Sequence, residues 1–208
     1  MATAQNIIDA SLARYKDSNE DAWVDDELLA YLNKAVGHAH NVLVRHGSEM
    51  AATLTTVTLA TGTQEYALPS DFLAVVQDGV WLEDYNPMEP VPYSQKIYQG
   101  SSQATPTRFY LTRDRIGFIP VPSAAATVNE YYYTTPVTLA VGTSMPYDDL
   151  LDEPLSTFMS SLAFSRDELD TSLLNETFNT LEKSVLDVVD RRSPLRPVIH
   201  KPYGNRME

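Results

Sequence analysis

The sequence predicts an α+β fold: a helical bundle built from N- and C-terminal helices, an inserted antiparallel β module, and an extended C-terminal tail. Apolar residues recur at helical spacing before about residue 50 and again after Met145. Between Ala51 and Leu139 they alternate with period two among abundant Thr, Val and Tyr. The closing stretch "SPLRPVIHKPYGNRME" is rich in proline and has little to bury, which favours an extended chain. Residues 1–50 therefore supply the N-terminal helices and 51–143 the β module, with a long loop at 84–106. Residues 144–193 supply the C-terminal helices and 194–208 a basic tail.

The first helix is expected in "TAQNIIDASLARYK", where Ala4, Ile8, Leu12 and Tyr15 share one face and Thr3 can cap the first turn. "KDSNEDAW" lacks periodicity and reads as a loop. In "VDDELLAYLNKAVGHAHNVLVRHG" a stripe of Leu28, Leu32, Ala35, Val36, Ala39, Val42 and Leu43 marks the longest N-terminal helix. Asp25 serves as its cap, Val24 and Leu29 as a hydrophobic staple, and Gly47 as its left-handed stop.

In the β module, "TLTTVTLATGTQEYAL" reads as a hairpin turning at Gly62, with Tyr66 and Leu68 on one buried face. Pro69 ends the strand, Asp71 can accept from backbone amides of the turn, and Phe72 anchors the turn to the core. Further strands are expected in "LAVVQDGVWLE", "TRFYLT", "RIGFIPVP" and "ATVNEYYYTTP", with Pro120, Pro122 and Pro136 at strand ends or edges. The intervening 84–106 reads as an exposed loop with at most a short turn.

After Met145, Leu151, Leu155, Phe158, Met159 and Leu162 form one stripe, with Pro154 in the first turn. Leu174, Phe178, Leu181, Val185 and Val188 form another, on a long helix packed against a neighbour, and Arg191 and Arg192 suit its negative end.

Composition narrows the function classes. The chain of 208 residues has a net charge of −13 and no cysteine. Disulfides, thiolate zinc sites and cysteine nucleophiles are therefore excluded, and a general nucleic-acid binder, which needs a basic surface, is disfavoured. No apolar run is long enough to span a bilayer and no signal segment is evident, so a soluble, unexported protein is expected. The charge is uneven: residues 1–193 carry 27 acidic and 12 basic side chains, whereas 194–208 carry Arg196, Lys201 and Arg206 against Glu208.

Catalytic motifs are absent. His38 and His40 diverge on a helix by about 200° and cannot share an ion, so they read as solvated or interface histidines; His46 and His200 lack a partner set. Asp148, Asp149, Asp152 and Glu153 sit where a helix begins and suit its dipole better than a cation. The surroundings of Asp170 lack a protease glycine, and the acceptor motif at Asn175 has no role without export. "NEYYYTTP" carries no interleaved basic residues, so its tyrosines read as packing residues rather than a base-stacking platform. The expectation is no enzyme, no cofactor and no metal.

Four pieces taken in order, "WVDDELLAYLNKAV", "GTQEYALPSDFLAV", "PTRFYLTRDRIGFIPVPSAAATVNEYYYTTP" and "LDEPLSTFMSSLAFSRDELDTSLLNETFNTLEKSV", resemble the head-to-tail adaptor (connector) proteins of tailed bacteriophages. The Y-x-L-P-x-D-F core at Tyr66, Leu68, Pro69, Asp71 and Phe72 is the most diagnostic, and Gly62 completes the structural residues of the motif. The resemblance implies a structural virion protein of the neck, assembled in the host cytoplasm. It implies a homo-oligomeric ring, commonly a dodecamer, docked beneath the portal protein and offering its lower surface to tail or nozzle proteins. Double-stranded DNA would pass through without specific binding, and no membrane is involved.

Two interaction regions follow as expectations. The tail, through Arg191, Arg192, Pro194, Arg196, Pro197, Val198, Ile199, His200, Lys201, Tyr203 and Arg206, is expected to bind the portal by strand addition or charge-assisted hydrogen bonds. The long loop displays Tyr85, Met88, Tyr93, Ile97 and Tyr98 with few charges, a composition suited to a subunit or tail interface. A tail-completion or tail-tube protein would share the lack of catalytic residues, and a carboxylate-based hydrolase is the remaining alternative.

Overall fold

A computed structural model of the chain describes residues 2–14, 25–83, 86–96, 102–147, 149–168 and 171–192. It is α+β, with four α-helices and mainly antiparallel sheets among those residues. The chain divides into two compact units, 1–35 with 139–208, and 36–138.

In the first unit, helix α1 spans Ala4–Arg14. Its start is a reciprocal cap: Asn6 N donates to Thr3 Oγ1 at 3.3 Å, and Thr3 N donates to Asn6 Oδ1 at 2.9 Å. The buried face is Ala4, Ile7, Ile8 and Ser11, so the stripe is rotated from the predicted one; Leu12 is half-buried and Ser11 is buried in its place. The reason is a specific partner, since Ser11 Oγ shares a hydrogen bond with Ser160 Oγ of helix α3, Asp152–Glu168. Tyr15 and residues 16–24, where a loop is expected, lie outside the described residues.

A short 3-10 turn, Asp149–Leu151, leads into α3, and Leu151, Leu155, Phe158, Met159 and Leu162 are all buried as the periodicity predicts. Helix α4, Thr171–Arg192, packs against α3 with Phe158 and Phe178 edge to face at 4.8 Å. Leu181, Val185 and Val188 are buried, whereas Phe178 is half-buried. Helix α2, Asp25–Arg45, contributes its first half to this unit. There Asn33 holds the chain near residue 139, accepting from Leu139 N at 2.7 Å and donating to Leu139 O at 3.2 Å.

The predicted α2 stripe, Leu28 to Leu43, is buried throughout. Its end is a Schellman motif: Gly47 has φ 70°, Ser48 N donates to Leu43 O at 2.9 Å and Gly47 N donates to Val44 O at 3.1 Å.

The second unit, 36–138, holds the β module. The strands are β1 (Ala52–Leu59), β2 (Glu65–Ala67), β3 (Phe72–Leu82), β4 (Glu89–Pro90), β5 (Gln103–Ala104), β6 (Arg108–Leu111), β7 (Arg115–Ile119), β8 (Val121–Pro122) and β9 (Ala126–Thr134). They form a three-stranded sheet β1-β9-β3, a four-stranded sheet β2-β7-β6-β4 and a two-stranded pair β5-β8. Leu59, Val80 and Val128 from the first sheet meet Phe109, Ile116 and Phe118 from the second in one core.

Two expectations are corrected here. β1 and β2 do not form a hairpin: β1 pairs with β9 and β2 with β7, so the turn at Gly62 carries the chain from one sheet to the other. The loop at 84–106 is also more structured than predicted. Its described ends add strands β4 and β5, which pair in parallel with β6 and β8, so the module is not wholly antiparallel. Pro90 and Pro122 sit on edge strands, where a missing N–H costs least.

Candidate functional site

The diagnostic stretch is a corner joining two sheets. Gly62, at φ 78°, occupies the third position of a turn closed by Thr63 N donating to Ala60 O at 3.1 Å. The Tyr66 hydroxyl reaches back over that turn, accepting from Ala60 N at 2.7 Å and donating to Thr63 O at 3.1 Å. Its ring meets Phe118 edge-on at 5.8 Å, and Tyr66 and Leu68, both half-buried, pack against the core. Pro69 begins a second turn, closed by Phe72 N donating to Pro69 O at 3.1 Å.

Asp71 does not accept from the amides of that turn. Its Oδ1 instead takes the hydroxyl of Tyr132 at 3.0 Å, and its backbone oxygen takes Thr135 N at 2.7 Å. Burial first, and then this bond, pushes the Tyr132 phenol up to about 12. Phe72 is half-buried against the Tyr132 ring at 5.5 Å rather than set in the central core. The stretch thus ties β2 and the start of β3 to strands far away in sequence.

A second cluster fastens the long loop. Lys96 Nζ donates to Glu65 Oε1 at 2.5 Å, and Tyr110 Oη donates to the same oxygen at 2.8 Å. The ammonium lies 5.5 Å from the Tyr93 ring and 5.7 Å from the Tyr110 ring. The hydrogen bond from Lys96, and then that from Tyr110, lowers the Glu65 carboxyl; the bond to Glu65 raises the Lys96 amine. Burial, followed by the bond to Glu65, pushes the Tyr110 phenol up to about 12. Sequence reasoning missed this cluster because Glu65 and Lys96 lie in separate elements and no local spacing links them.

Of the predicted loop interface, Tyr93 is displayed at 50% exposure. Met88 is not: it is a core residue, 3% exposed, because Met88 N donates to Val80 O and draws the loop against β3. Tyr85, Ile97 and Tyr98 lie outside the described residues.

The tail from residue 193 onward, with Pro194, Arg196, Pro197, Val198, Ile199, His200, Lys201, Tyr203 and Arg206, also lies outside them. Arg191, exposed in the last turn of α4, marks its beginning.

His40 is neither solvated nor at a surface. It is buried, its Nε2 lies 2.6 Å from Thr134 O, and burial lowers its pKa while the backbone bond opposes that shift. Among the described residues no group of three or more His, Asp and Glu is placed to hold a metal. Asp149 opens the 3-10 turn, Asp152 and Glu153 lie in the first turn of α3, and Asp148 is outside the described residues. Burial and then the nearby Asp149 raise the Asp152 carboxyl.

Tyr132 and Tyr133 are buried, as the packing reading of "NEYYYTTP" expects. The unexpected residue is their neighbour. Glu130 is fully buried, neither carboxylate oxygen has a hydrogen-bond partner among the described residues, and burial pushes its pKa up to about 7. Strand alternation was the available signal, since it places Glu130 on the same inward face as Val128 and Tyr132.

Finally, α3 and α4 enclose a cleft of about 480 Å3. Phe158 and Leu181 form its buried floor, hydroxyl side chains including Thr157 and Thr180 line it, and the exposed Glu153 and Glu176 stand on its rim.

No curated protein matches the chain significantly. The sequence model for the SU10 adaptor protein matches residues 2–198. That span takes in all of the second unit, 36–138, and the first unit from residue 2 up to residue 198, and the chain therefore belongs to the SU10 adaptor family of phage head-to-tail adaptors.

Proposed function

We propose that this protein forms a ring beneath the portal, joins the capsid vertex to the tail, and leaves a channel through which double-stranded DNA passes. The family match over residues 2–198 carries the reading. Within a subunit, the N- and C-terminal helices would form one bundle; the packing of α1 on α3 and of α3 on α4 supports this. The β module would be inserted into that bundle, and the tail would extend from it.

The portal is the partner of the tail. Residues 191–206 hold five Arg or Lys, and an arm repeated around a homo-oligomer, here proposed as a dodecamer, multiplies modest affinities through effective concentration. The loop around Tyr93 supplies a contact to a neighbouring subunit or to a tail or nozzle protein. Its exposed ring, backed by Lys96 and Tyr110, is held in place before any partner arrives. The acidic chain, at −13, would let the duplex slide because few phosphates are neutralised.

The deciding experiment is electron microscopy of purified virions. Density for this chain directly under the portal, at the neck, is the expected result; density further down would make it a tail-completion or tail-tube protein. A chain truncated after Ser193 should fail to attach to DNA-filled heads. Normal attachment would remove the portal role of the tail.

A further inference from the structure

We infer that in the free subunit the cleft between α3 and α4 is the seat of the chain's own C-terminal tail. The two parts are opposite in charge. Residues 148–190 carry 11 acidic and 2 basic side chains, whereas 191–208 carry five basic side chains and Glu208. The cleft presents that contrast locally, with Glu153 and Glu176 on the rim and Phe158 and Leu181 in the floor.

Chain lengths match as well. Only two residues separate the end of α3 at Glu168 from the start of α4 at Thr171, so two helices that pack at Phe158 and Phe178 run antiparallel. The tail therefore leaves α4 beyond the Glu153 end of the cleft. At about 1.5 Å per helical residue, Ser184 is roughly 12 Å and Glu176 roughly 24 Å back along the axis from Arg192. An extended chain at about 3.3 Å per residue covers these distances in about four and seven or eight residues. Arg196 is thus within reach of Glu153, and Lys201, one or two residues past the minimum, within reach of Glu176, with Val198 and Ile199 between them available to Phe158 and Leu181. Pro197, between the two cations, favours an extended segment at low entropic cost.

A tethered segment needs little intrinsic affinity, because its effective concentration is in the millimolar range. The seat is therefore weak enough to be vacated when a partner with a denser acidic surface competes for the arm. The inference stands apart from the portal reading, because it concerns the isolated full-length chain.

Hydrogen exchange on that chain at low salt tests it. The amides of Ile199, His200 and Lys201 should exchange about three- to tenfold more slowly than in a free peptide of residues 194–208. The slowing should vanish in the double variant Glu153→Lys, Glu176→Lys, whose substitutions are on exposed rims. It should return when Arg196→Glu and Lys201→Glu are added to that variant. Free-peptide rates in the unaltered chain, or slowing indifferent to the rim charges, would overturn the inference. Slowing that grows with protein concentration would overturn it too, by giving the cleft to the tail of a second copy.

Discussion

The Tyr132 hydroxyl donates to Asp71 at 3.0 Å across 61 positions of sequence, and the Tyr132 ring carries Phe72 at 5.5 Å. One side chain therefore fixes the last two residues of a turn: its hydroxyl holds the acidic residue and its ring supports the next aromatic. Asp71 is exposed while Tyr132 is buried, so the bond ties a surface turn to the middle strand of the three-stranded sheet. Asp71→Ala and Tyr132→Phe should each cost about 1 kcal/mol in urea unfolding. Combined, they should cost less than the sum of the two, by about 0.5–1 kcal/mol. Strict additivity would show that the two groups do not interact in solution.

Glu130 should make stability fall as pH rises. Its carboxyl is pushed up to about 7 in the folded chain, against 4.5 ordinarily, so between about pH 4.5 and 7 the folded state keeps a proton that the unfolded state has lost. The penalty, roughly 3 kcal/mol by linkage, develops across that window and is fully present above it. Glu130→Gln, which cannot ionise, should flatten the profile and be more stable than the natural chain at pH 8 by about 2 kcal/mol. Denaturant titrations of both proteins at pH 5 and pH 8 provide the comparison; an unchanged slope in the variant would assign the effect to other groups.

The ring of Tyr110 lies directly over Gly117, so a Cβ at that position would overlap it. Tyr110 is 1% exposed and bonded to Glu65, which leaves the ring no empty space to enter. Gly117→Ala should therefore cost about 1–3 kcal/mol, the range for overpacking that displaces a fixed side chain. Thermal melting monitored with near-ultraviolet circular dichroism would show both the loss and the altered tyrosine environment. A variant as stable as the parent would mean that the sheet can open at this point without cost.

Lys96 and Glu65 should govern the order of the long loop more than global stability. The pair is part-exposed, so its removal by Lys96→Ala should cost no more than about 1 kcal/mol. Locally the effect should be larger: the turn amides of Gln95 and Lys96, bonded to Pro92 and Tyr93, should exchange faster. Because Glu65 is depressed below its ordinary value, its contribution is present above about pH 4.5 and is lost as pH falls through the folded value. The same acceleration should therefore appear in the natural chain on acidification, and protection unaltered by either treatment would show that the loop is held some other way.

The burial of Leu28 to Leu43 and of Leu151 to Leu162 could be read directly from the sequence, because in a helix the contacting residues lie three and four positions apart. The stop at Gly47 and the strands around Phe109, Phe118 and Val128 were legible for the same reason: their signals are local. What the sequence could not determine was partnership. The turn at Gly62 has the same local chemistry whether its flanking strands pair with each other or go to different sheets. Only the full topology sends β1 to β9 and β2 to β7. The same holds for Met88, for His40 against Thr134, and for the meeting of Lys96 with Glu65: each depends on a surface supplied from elsewhere in the chain. Local periodicity fixes which face of an element is apolar, but burial is shared between elements, and the choice of covering element is made when the chain packs.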